Sequence, residues 1–92
     1  MAYTVTLERA AEKQFRKLPR QIQEQVGEVF TGLAENPRPI GCKKLAEAEG
    51  LLRIRVGHYR IVYQVDDDLQ ALSVVIVRVG HRSDVYRFLR AR

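Results

Sequence analysis

Three guanidinium groups, Arg53, Arg55 and Arg60, fall within eight residues in the run LLRIRVGHYRIVY. A guanidinium stays protonated and offers a planar fork of donors that matches phosphate oxygens. Three of them on rigid strands can hold a backbone phosphate and stabilise charge that develops on it, but none can serve as a general base. A second set follows in Gly80-His81-Arg82-Ser83-Asp84-Val85-Tyr86. There His81 can titrate near neutrality as general acid or base, Arg82 can add a phosphate contact, and Tyr86 can stack on or hydrogen-bond to a base. Arg60, His81, Arg82 and Tyr86 are therefore the candidate catalytic residues, with Arg53 and Arg55 as substrate-binding residues. Plainer readings stand beside these. A solvated sheet face carries long charged side chains because they are soluble and block edge pairing. A lone loop histidine is commonly just polar surface, Tyr86 can pack on the sheet, and Asp84 favours a helix N-terminus through the dipole. His58 lies in a turn beside Arg55 and Arg60, and no role is assigned to it. Tyr3, Tyr59 and Tyr63 read as core.

The elements that position these groups follow from residue periodicity. With Gly57-His58 as a two-residue hairpin loop and Gly57 at positive φ, Val56 pairs with Tyr59 and Arg55 lies opposite Arg60. Leu52, Ile54, Val56, Tyr59, Ile61 and Tyr63 alternate to the core face, so the three arginines are expected to project from the opposite, solvent face. Like charges directly opposite each other destabilise a sheet by a few tenths to about 1 kcal/mol, which a bound anion would relieve. Upstream, Tyr3, Val5 and Leu7 mark the core face of a first strand. Ala11, Phe15 and Leu18 recur at helical spacing up to Pro19, and Ile22, Val26, Val29, Phe30 and Leu33 form the stripe of a second helix stopped by Asn36-Pro37-Arg38-Pro39. Residues 40–50 read as a surface connection. Leu52–Val56, Tyr59–Val65 and Leu69–Val79 read as antiparallel strands with the Asp66-Asp67-Asp68 run as a turn. Ser83 is expected to cap a short last helix with Val85, Phe88 and Leu89 on its apolar face and Arg87 and Arg90 in water. The expected fold class is α+β, order β-α-α-β-β-β-α: a twisted, mainly antiparallel sheet with a helical hairpin on one face.

A chain of 92 residues with 46% hydrophobic and 29% charged composition fits one globular domain, placed at residues 1–92. The net charge of +5 is unevenly placed. Eleven Lys/Arg against ten Asp/Glu occupy the chain through Val77, whereas Arg78, Arg82, Arg87, Arg90 and Arg92 face only Asp84. That cluster is the footprint of a phosphate-binding surface, or of a solvated basic tail. The single Cys42 cannot form an internal disulfide, and no Cys/His spacing suggests zinc, so neither metal nor other cofactor is expected. Neither a signal peptide nor a run of ~18 apolar residues is evident. A cytoplasmic protein that does not enter the membrane is the expectation.

LLRIRVGHYRIVYQV followed by VVIVRVGHRSDVY, with the opening MAYTVTLERAAEKQFRKLP and the ENPRP helix end, resembles the RelE branch of the RelE/ParE toxin superfamily. The resemblance spans the chain. It implies a microbial-ribonuclease-like fold and a toxin of a type II toxin-antitoxin system that cleaves mRNA in the ribosomal A site without a metal, the RNA's own 2′-hydroxyl attacking the adjacent phosphate. It places basic residues at Arg53 and Arg55, a strand arginine at Arg60, and an arginine and tyrosine at Arg82 and Tyr86. His81 matches a position where several relatives carry a histidine suited to proton transfer. The best-studied pattern has lysines where Arg53 and Arg55 stand, which shifts proton transfer toward His81. Implied partners are a cognate, RelB-like antitoxin that wraps the basic surface and can displace the C-terminal helix, the ribosome with its mRNA, and operator DNA for the toxin-antitoxin complex. Two alternatives share the scaffold: a ParE-like inhibitor of DNA gyrase and an inactive nucleic-acid-binding module.

Overall fold

A computed structural model describes residues 2–46 and 48–90, so Arg92 of the basic C-terminal set lies outside the described residues. The elements are β1 (Thr4–Leu7), α1 (Arg9–Arg16), α2 (Arg20–Glu35), β2 (Lys43–Lys44), β3 (Leu52–Val56), β4 (Tyr59–Asp66), β5 (Ser73–His81) and α3 (Arg82–Arg90). They build one five-stranded sheet in the order β1-β5-β4-β3-β2, antiparallel except where β1 runs parallel to β5.

Pro19 separates the two helices of the hairpin as expected. Gln23 from α2 reaches back and donates its side-chain amide to the Phe15 and Arg16 carbonyls, each at 3.0 Å, so the end of α1 is satisfied by the next helix. The hairpin covers one sheet face. Ala11, Leu18, Val26 and Leu33 meet Ile54, Ile61, Tyr63, Val74, Ile76 and Val79, with Tyr3, Val5 and Leu7 packed at the margin.

The other face is not open, which corrects the expectation of a solvated arginine surface. Ala48, Leu51, Val62, Val77, Val85 and Leu89 form a second apolar cluster, in which α3 and the segment before β3 cover the back of β4 and β5. A bulge makes this possible. Val62 pairs with Arg78 but Tyr63 with Ile76, so Val77 is an extra residue on β5. The extra residue keeps Ile76 and Val79 in the first cluster while Val77 joins the second and Arg78 stacks against Phe88 of α3.

The elements differ from the sequence reading at several places, with β4 running on to Asp66 and β5 to His81. β5 starts at Ser73 rather than Leu69, because Asp68 opens a turn in which its carbonyl accepts the Ala71 and Leu72 amides, both at 2.8 Å. Leu69 is exposed there. β2 was not expected, since two lysines have no apolar period; they pair with Arg53 and Leu52 at the sheet edge. Finally, α3 begins at Arg82, so Ser83 is already inside it and is not the cap.

Candidate active site

At one end of the sheet three segments meet: the β3–β4 turn, the end of β5 and the start of α3. The turn is the two-residue loop expected from sequence, with Gly57 at φ 61° and Val56 paired with Tyr59. Gly57 takes the left-handed backbone without side-chain strain. Across the sheet Tyr59 pairs with His81 and Arg60 with Gly80, so the turn and the β5 end lie side by side. The Arg82 amide then donates to the His58 carbonyl at 2.8 Å, tying the first residue of α3 to the turn.

Arg60 lies opposite Arg55 as expected, yet it is only 4% exposed. Placement on the surface is thereby corrected. Its Nη1 donates to the Gly57 and Tyr59 carbonyls at 3.0 and 2.9 Å, and its Nε is closed off from solvent without a partner. Nη2 has neither constraint. Arg53 is half-buried with Nη1 closed off and unpartnered, while Arg55 is exposed. The expected uniform row of three arginines is thus graded in depth, because the second apolar cluster covers the same sheet face. Among the described residues, Arg53, Arg55, Arg60 and Arg82 form no ion pair. A desolvated guanidinium with no carboxylate beside it is costly, and an anion arriving from outside offsets that cost.

His81 is exposed, and its ring is held by α3. Nδ1 accepts the Ser83 amide at 3.2 Å and lies 3.0 Å from Ser83 Oγ. The histidine side chain therefore takes the capping position that the sequence reading gave to Ser83, and in the neutral ring the proton sits on Nε2, facing away from the helix. Tyr59 meets the His81 ring edge-on at 5.8 Å. Tyr86 follows Arg82 by one helical turn and is 45% exposed, so it is not packed on the sheet.

The structure thus joins Arg60, His81 and Arg82 through one hydrogen-bonded turn. Arg55 lies beside them, and Arg53 and Tyr86 lie at the periphery.

Two residues to which the sequence reading gave no place in the site lie here. His58 stacks on His81 with centroids 6.3 Å apart and planes at 28°. Arg78 stacks on Phe88 at 4.1 Å, pairs with Glu8 at 3.5 Å and donates to the Val77 carbonyl at 2.6 Å. Only the β4–β5 register reveals either, and the Val77 bulge hides that register. Beside His81 a cleft of about 270 Å³ opens between the end of α1, β5 and α3, with Lys17, Arg78 and Asp84 on its walls.

Residues 5–86 match the family described as ParE toxin of type II toxin-antitoxin system, parDE. Toxin RelG of Mycobacterium tuberculosis is 39% identical over 88 residues, covering 95% of this chain and 99% of that protein. The mRNA interferase toxin RelE of Escherichia coli K12 is 34% identical over 88 residues, covering 94% and 92%. Among solved structures, the isolated E. coli RelE toxin superposes with a TM-score of 0.75 at 32% identity, covering 99% of this chain and 98% of that one. The toxin in the intact E. coli RelBE toxin-antitoxin complex gives 0.74 at 30% identity, covering 87% and 96%.

Proposed function

Because the chain belongs to the RelE/ParE superfamily of type II toxin-antitoxin toxins, we propose that it is a ribosome-dependent endoribonuclease that cuts mRNA in the A site and so stops translation. The observation that carries this reading is the convergence of Arg60, His81 and Arg82 on one turn with no counter-anion among the described residues. That is an arrangement for a phosphate supplied from outside.

The 2′-hydroxyl attacks the adjacent phosphorus, the P–O5′ bond breaks, and a 2′,3′-cyclic phosphate and a 5′-hydroxyl result. Negative charge grows on the equatorial oxygens of the phosphorane-like transition state. Arg82, exposed at the start of α3, and Arg60, through Nη2, stabilise that charge from a surface already organised before RNA arrives. Arg55 and Arg53 hold the flanking backbone. Tyr86, one turn along α3, stacks on or hydrogen-bonds to a base. His81 presents Nε2–H outward and gives a proton to the departing 5′-oxygen from its charged ring, in which Nδ1–H releases the Ser83 amide and donates to Ser83 Oγ instead. None of these roles calls for a metal.

The partner in this reading is a cognate, RelB-like antitoxin that covers the basic surface and displaces α3. That helix is held by Val85 and Leu89 in the smaller apolar cluster. The pair then sits on its operator DNA, and the toxin acts in the cytoplasm; among the described residues no helix is long and apolar enough to cross a membrane.

The test is primer extension on a defined mRNA in a purified translation system, with and without ribosomes, comparing wild type with Arg82→Ala. Ribosome-dependent cuts that vanish in the variant are expected. Cuts on naked RNA remove the ribosome from the mechanism. A folded protein that never cuts, but causes gyrase-linked DNA breaks on induction, replaces the reading with gyrase inhibition.

A further inference from the structure

Cleavage by an internal 2′-hydroxyl needs two proton transfers: one leaves O2′ as the O2′–P bond forms, and one arrives at O5′ as the P–O5′ bond breaks and its electron pair departs with the oxygen. The proposed site supplies the second through His81 and leaves the first without an acceptor, since arginine does not deprotonate in a protein. The chain has two histidines, His58 and His81. Both are exposed, and their rings stack at 6.3 Å although 22 residues separate them in sequence.

We propose that His58 is the general base that takes the 2′-hydroxyl proton, an inference that rests on the ribonuclease reading above. Two observations carry it. First, His58 sits within the phosphate-binding network: Arg60 bonds to the carbonyls on either side of it, at Gly57 and Tyr59, and its own carbonyl accepts the Arg82 amide. Second, the two imidazoles differ in what they can offer. His81 Nδ1 is occupied by the Ser83 amide and hydroxyl, so its outward Nε2 carries a proton whether the ring is neutral or charged. The His58 ring makes no hydrogen bond to a described residue and can present a lone pair at either nitrogen. Tyr59 lies edge-on to His81 from β4. The reaction starts with His58 neutral, as acceptor, and His81 charged, as donor, its Nδ1–H turned to Ser83 Oγ in place of the Ser83 amide. After turnover His58 holds the proton from O2′ and His81 has given one to O5′, so exchange with solvent resets the pair.

The experiment is single-turnover cleavage of ribosome-bound mRNA across pH for wild type, His58→Ala and His58→Gln, with and without added imidazole. Thermal melts verify the fold, and His58→Gln decides should the alanine variant not fold. We expect both variants to slow by about 100-fold or more. The acidic limb of the pH–rate profile should disappear, and imidazole should restore part of the rate to His58→Ala. Rates within about threefold of wild type, or a slow variant that keeps the acidic limb and ignores imidazole, overturn the assignment while the wild type still cuts. A wild type that does not cut under any condition overturns the ribonuclease reading and this one with it.

Discussion

Arg55 and Arg60 face each other across the β3–β4 ladder, yet Arg55 is in solvent while Arg60 is 4% exposed and spends its Nη1 on the carbonyls of its own turn. The two arginines therefore separate in function. Arg60 is a buried cation with no ion pair among the described residues, and in the proposed mechanism its charge serves a ligand rather than the fold. An apolar side chain of similar volume relieves a desolvated charge, so Arg60→Met should keep its stability within about 1 kcal/mol of wild type or exceed it. The same variant should lose cutting by ~100- to 1,000-fold, the usual effect of deleting a preorganised transition-state donor. Urea unfolding beside the primer-extension assay checks both; a destabilised variant with normal cutting would remove Arg60 from the site.

His81 has two jobs that substitution can separate. As the acceptor for the Ser83 amide it caps α3, and capping side chains contribute about 0.5–2 kcal/mol. His81→Asn retains a capping acceptor, whereas His81→Ala does not. The alanine variant should melt at lower temperature and show faster amide exchange in α3, while the asparagine variant should not. Both should lose cutting, because neither carries a titrating ring. Normal cutting by a stable His81→Asn would leave the residue purely structural.

Much of this site was readable before the structure, and the parts that were not have a physical reason. Gly57-His58 flanked by alternating apolar residues specifies a tight hairpin, so the opposition of Arg55 and Arg60 followed from residue types alone. The helical hairpin and its core stripe followed from the 3.6-residue period up to Pro19 and Asn36. Burial of Arg60 did not follow, since it depends on α3 and the segment around Ala48 and Leu51 folding over the far face. Nothing local to Arg60 records that. The neighbourhood of His58 and His81 was hidden for a similar reason: it needs the β4–β5 register, which the extra residue Val77 shifts by one. Capping by His81 went to Ser83 because serine is the commoner cap, and the choice turned on where α3 starts.

Arg78 links three elements through Glu8, the Val77 carbonyl and the Phe88 ring. Because only a quarter of its side chain is exposed, the stacking on Phe88 belongs to the upper part of the usual range for such contacts, about 1–2 kcal/mol. Arg78→Ala should loosen α3 from the sheet before the rest of the fold is affected. Hydrogen exchange should rise in residues 82–90 with little change in α2 or β4. An equal rise everywhere would show that Arg78 supports the whole domain instead.

The last prediction concerns the opposite end of the sheet. Arg38 donates to both carboxylate oxygens of Asp67 at 3.1 and 2.8 Å, and Tyr3 donates to the same carboxylate at 2.8 Å. Hydrogen bonds from Arg38 first, then Tyr3, hold the Asp67 carboxyl below its ordinary range. This ties the segment after α2 to the β4–β5 turn, while the buried Tyr63 hydroxyl holds Pro37 of that segment at 2.8 Å. A carboxyl lowered in the folded state stabilises the fold above its unfolded pKa of about 4, and that contribution is lost as pH falls through the folded value. Wild type should therefore have a higher urea midpoint than Asp67→Asn at pH 7, and the gap should close by about pH 2. Cutting should be unchanged in the variant, since the site lies at the other end of β4 and β5. A gap that persists unaltered in acid would mean that the asparagine disturbs the turn itself rather than removing a charge.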